Sequence, residues 1–148
     1  MKTKLVTSFL LVSGAILLAI GAAILLTPEA FHAGNGIVLE KNASLMSEIR
    51  APGALLFACG LLILVGSFRN NLRSQALFSA TLVYGSFGLS RLLSMGLDGM
   101  PSSGIVGATI IELVIAALGL LFLLQIRTTI KTVKTTNPNP NTTTALAQ

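Results

Sequence analysis

The sequence predicts an all-α fold: a four-helix transmembrane bundle with antiparallel neighbours and both termini in the cytoplasm. Three observations carry that expectation. Hydrophobic residues make up 53% of the chain and charged residues 10%, with mean hydropathy +0.83, whereas a soluble domain carries about a quarter charged residues. The apolar residues gather into four runs, about 5–26, 51–68, 75–97 and 104–126. At 1.5 Å per residue each covers roughly 27–35 Å, enough for a hydrocarbon core with modest tilt. Lysine and arginine, finally, concentrate on alternate connections between the runs.

The first run follows Lys2 and Lys4 and has the basic start of a signal peptide. Its apolar stretch outlasts the roughly 7–15 residues of a signal core, and PEAFHAG offers no small-x-small cleavage site, so it reads as a retained helix. The connection after it is the longest. Pro28 and the pair Gly34 and Gly36 break regular structure there, and IVLEKNASLMSEIR suits a short surface helix leading into the second span. Pro52 is free of cost if the second span begins near Ala51, because a first-turn N–H has no intrahelical partner. If the helix begins near Ser47, Pro52 kinks it. RNNLRS and DGMPSS are short connections that make the remaining neighbours antiparallel. Residues 1–134 thus form one four-pass domain. The tail, 135–148, is rich in Thr, Asn and Pro and reads as disordered and cytoplasmic.

The formal net charge of +5 does not mark a nucleic-acid binder, because the basic residues flank apolar runs and build no soluble basic face. Lys2, Lys4, Arg69, Arg73, Arg127, Lys131 and Lys134 fall on one side of the expected membrane, and the opposite connections hold Lys41 with Glu29, Glu40 and Asp98. The positive-inside rule places the termini in the cytoplasm. The single cysteine, Cys59, excludes an internal disulfide or dithiol chemistry and reads as a packing residue. The single histidine, His32, excludes two-histidine haem ligation and reads as an interfacial loop residue without a role. No metal-ligand set and no cofactor motif is legible, and Ser90, Ser94 and Tyr84 have no base placed to activate them. The glycines follow no strand and cradle no phosphate.

Five ionisable residues fall at one depth, in the outer half of the expected membrane. Glu48 and Arg50 open the second span, and Asp98 ends the third. Arg91 lies roughly 9 Å, and Glu112 roughly 12 Å, below the outer ends of their helices. A charge at such depth costs several kcal/mol, roughly 2.5–3.5 on insertion scales, unless a partner answers it. On the third span Tyr84, Gly88, Arg91, Ser94 and Asp98 form a polar stripe at helical spacing. Gly104, Ala108, Glu112, Ala116 and Gly119 form a small-residue stripe on the fourth, the kind of face that neighbouring helices approach closely. Gly53, Phe57 and Gly60 give the second span a comparable face, continuous with Arg50. Glu112 is the expected answer to Arg91, with Asp98 as competitor. Two arginines face three carboxylates, so at least one acid lacks a cation.

SEIRAPGALL, followed by YGSFGLSRLLSMGLDGMPS and an apolar helix with one Glu, resembles the small bacterial membrane proteins of the domain of unknown function 4345 family. The resemblance covers roughly residues 5–126. It implies a four-helix topology and a motif set of Glu48, Arg50, Gly53, Gly88, Arg91, Asp98, Gly99 and Glu112, and it brings no activity. A looser likeness to four-helix membrane proteins around the DoxX family rests on topology alone.

Two functions compete on this reading. In the first, the protein is a non-enzymatic inner-membrane protein whose cluster of Glu48, Arg50, Arg91, Asp98 and Glu112 binds a lipid-like molecule or small amphipathic anion. Pro52, Gly53, Tyr84, Gly88, Ser94 and Gly99 support that cluster. In the second, it is an accessory subunit of another membrane protein, and the charges only set helix register. An enzyme acting on a lipid-soluble substrate has no catalytic constellation behind it.

Overall fold

The computed structural model describes residues 2–136, with side chains over residues 4–126. Five helices and a short 3-10 turn make up the fold, with no strand among the described residues. The helices are α1 (Lys2–Leu26), α2 (Pro28–Ala33), α3 (Ala43–Phe68), α4 (Arg73–Asp98) and α5 (Ser103–Thr136). All but α2 contain a stretch long and apolar enough to cross a membrane.

Several boundaries differ from the hydropathy runs, each for a local reason. The polar side chain of Asn42 accepts from the backbone N–H groups of Ser44 and Leu45, so α3 starts at Ala43 and passes straight through Pro52. Pro52 is therefore an interior proline, and the carbonyl of Glu48 lacks the N–H that would normally bond it. A separate surface helix before the second span does not form, because capping by Asn42 fuses its second half to the span and the residues before it are not helical. The connection after α1 holds a helix that hydropathy does not reveal. Pro28 occupies its first turn, Glu29 stands near its positive end, and Gly34 follows its last residue. At the other end of α4, Gly99 takes φ +96, a left-handed conformation that stops the helix. Helix α5 runs ten residues past the expected end at Ile126, to Thr136. The tail expected to be disordered therefore begins, at 135–136, within this helix, and its remainder lies outside the described residues.

Helices α1 and α3 form the tightest pair. Gly14, Gly21, Gly53 and Gly60 let the backbones nearly touch; a Cβ on Gly60 would stand 2.5 Å from the backbone nitrogen of Leu18. Helices α4 and α5 form the second pair, with Gly85 against Ala116, Gly88 against Leu113 and Gly119 against Thr81. Between the pairs sits a small core centred on Leu10, Ile63, Leu77 and Ala80, all fully buried. The Tyr84 hydroxyl donates to the carbonyl of Ser13 at 2.6 Å, tying α4 to α1. The rings of Phe9 and Phe122 meet edge to face at 5.3 Å, closing α1 onto α5 near the basic end of the bundle.

Candidate functional site

At the opposite end, a cavity of about 320 Å³ opens between α1, α4 and α5. Its walls are apolar: Ile16, Ile20 and Ile24 of α1, Leu56 of α3, Val83 and Phe87 of α4, and Ile105, Ala108 and Ile111 of α5. The α1–α2–α3 connection roofs it with Phe31, His32, Asn35 and Ile37. Gly104, at the start of α5, admits this roof; a Cβ there would stand 3.2 Å from the Asn35 side-chain oxygen.

Three polar residues of the long helices line the cavity: Tyr84, Arg91 and Glu112. Arg91 Nε donates to Glu112 Oε2 at 3.1 Å and, more weakly, to Oε1 at 3.4 Å. This is the one ion pair among the described residues. The two side chains retain 32% and 13% of their exposure, so the acid is the more deeply enclosed. Among the described residues Arg91 donates through Nε alone, and its two Nη groups have no hydrogen-bond partner there. Gly88, one turn before Arg91, makes the pair reachable: its missing side chain admits Leu113 of α5 to within 2.8 Å of where a Cβ would be. The stripe on α5 therefore faces α4, and it brings Glu112 to Arg91.

The expected cluster of five does not assemble. Helix α1 ends at Leu26, level with the contact between Gly53 and Leu25, so the first turns of α3 protrude beyond it. Glu48 and Arg50 are exposed there. Arg50 lines a separate shallow groove with Leu25, Ala43, Met46, Ser47, Ala51 and Ala54, none of which borders the cavity. The face of Gly53 and Gly60 packs on α1 rather than on the charged helices, with Phe57 half outside it. Asp98 is exposed and accepts from Ser94 Oγ at 2.9 Å, so it answers its own helix and not Arg91. Pro52, Ser94 and Gly99 are likewise exposed and away from the cavity, while Tyr84 and Gly88 are buried beside it.

His32 is the residue that hydropathy and spacing overlook. It lines the cavity, and its Nδ1 lies 2.8 Å from the carbonyl oxygen of Pro28, one helical turn earlier. A carbonyl only accepts, so Nδ1 carries the proton. The legible signal was the start-and-stop pattern TPEAFHAG, which places Phe31 and His32 on a helical turn rather than in a loop. No group of three or more potential metal ligands exists among the described residues.

A family model, the domain of unknown function DUF4345, matches residues 5–123, and the chain belongs to that family. No curated protein and no solved structure matches it.

Proposed function

We propose that this member of the DUF4345 family is a non-enzymatic, multi-pass membrane protein that holds a lipid-like molecule or small amphipathic anion in the cavity beside Arg91. In this reading it resides in a bacterial inner membrane with both termini in the cytoplasm. One observation carries the proposal: an apolar cavity of about 320 Å³ ends on an arginine whose two Nη groups have no hydrogen-bond partner among the described residues. Ligand cavities usually combine apolar walls with a few convergent polar groups, at roughly 300–1,000 Å³. The apolar walls receive a chain, and Arg91 receives the head group.

A second reading has its own support. Arg91 and Glu112 join the same two helices that Gly85, Gly88 and Ala116 hold together. The pair then serves register alone, in an accessory subunit bound to another membrane protein. Native mass spectrometry of the protein in gentle detergent separates the two. The binding reading expects a retained amphiphile that disappears in Ala108→Phe, whose ring fills the cavity. A stoichiometric protein partner, with no small molecule retained, supports the accessory subunit and rejects the first reading.

A further inference from the structure

The cavity's charges cancel. Arg91 is its one formal cation and Glu112 its one formal anion, and the two are in contact at 3.1 Å. The other charges at that end, Glu29, Glu40, Lys41, Glu48, Arg50 and Asp98, do not line it. An anionic head group would gain Arg91 only by approaching a carboxylate already seated on that guanidinium, so attraction and repulsion largely offset. A neutral head group escapes that conflict.

The hydrogen-bonding capacity left over is more specific. Arg91 offers donors through its Nη groups. Tyr84 has spent its proton on the Ser13 carbonyl and keeps only lone pairs. His32 has spent its Nδ1 proton on the Pro28 carbonyl, so the neutral ring offers Nε2 as an acceptor. Glu112 accepts only, and Arg91 already engages it. Asn35, the other polar roof residue, turns its Oδ1 toward Gly104 of α5 and its Nδ2 to the Phe31 carbonyl. A head group fitting this set must accept from Arg91 and donate to a neutral acceptor at the roof. A hydroxyl does both with one oxygen; an ether, ester or sulfonate oxygen only accepts.

Resting on the cavity being a ligand site, we infer that its occupant is a single-chain lipid alcohol whose hydroxyl accepts from Arg91 and donates to Nε2 of His32. The volume, at the small end of ligand cavities, suits one chain against the isoleucines of α1 and α5. The headgroup specificity thus comes from a residue of the short helix α2 acting with one of α4.

The test uses the full chain in phosphatidylcholine nanodiscs and three diazirine probes that share one alkyl chain, ending in a hydroxyl, a methyl ether or a sulfonate. Cross-linked residues are mapped by mass spectrometry with and without unlabelled competitor. The alcohol should label cavity-lining residues of α4 and α5 saturably, with the ether and the sulfonate weaker by about fivefold or more. His32→Phe should lower the alcohol to the level of the ether and leave the ether unchanged. Labelling by the sulfonate equal to that by the alcohol, or an alcohol preference that survives His32→Phe, overturns the alcohol assignment while the cavity remains a binding site. No saturable cavity labelling by any of the probes rejects the binding reading itself.

Discussion

Arg91 cannot give up its proton, whereas Glu112 can take one up, so the two halves of the 3.1 Å pair are unequal. Glu112→Leu strands a guanidinium between helices. Arg91→Leu leaves an acid that can neutralise itself. We expect Glu112→Leu to lower stability by about 1–2 kcal/mol, Arg91→Leu by less, and the double substitution by less than either. Unfolding of the four proteins in mixed micelles measures the cycle; losses that simply add would show that the pair is not coupled. The pairing itself was legible, because Arg91 lies on a polar stripe and Glu112 on a small-residue stripe, each at helical spacing. The isolation of Asp98, Glu48 and Arg50 was not. Depth along a helix axis can be counted from sequence, and so could the end of α1 at Leu26; that α3 begins at Ala43 and packs on α1 only from Gly53 onward could not.

Among the elements, α1 and α3 depend on contact between backbones. Gly60 stands where any Cβ meets Leu18 at 2.5 Å, against backbone that cannot rotate away. Gly96 of α4 has nothing within 4 Å of its would-be Cβ. Gly60→Ala should therefore cost about 1–3 kcal/mol, and Gly96→Ala should be neutral or stabilising by up to about 1 kcal/mol. Equal thermal midpoints for the two variants would mean that α1 and α3 do not pack as described. Both glycines sit in apolar helices and look alike in sequence; only the neighbour across the interface separates them. Pro52 shows the same limit from the other direction, since its role depended on where α3 begins, and the cap at Asn42 sets that.

For the whole molecule, the antiparallel order of α1, α3, α4 and α5 brings the start of α1, the turn between α3 and α4 and the end of α5 to one end. The basic residues Lys4, Arg69 and Arg73 belong to that end, while the cavity, its roof and the α4–α5 connection belong to the other. The positive-inside rule then predicts the orientation. Reporter fusions after Arg73 and after Lys134 should read as cytoplasmic, and a fusion near Asn42 should read as the far side. A cytoplasmic reading at Asn42 would invert the bundle and put the cavity at the inner face.

Sequence by itself determined the all-α class, the number of apolar helices and their alternation, because hydropathy and helical length are properties of residues taken along one chain, and it determined the family through the motifs SEIRAPGALL and YGSFGLSRLLSMGLDGMPS. It also pointed to the face of α5 that meets α4, because small residues at helical spacing mark a close approach; on α4 the expected polar stripe held only as far as Arg91, since Ser94 and Asp98 are exposed. Tertiary structure decided the rest. The expected five charges reduced to one pair because α3 outruns α1 and carries Glu48 and Arg50 past the bundle. His32 entered the site because α2 folds back over the gap above Phe9 and Phe122. A cavity is the space that several helices fail to fill together, and no single stretch of sequence encodes it.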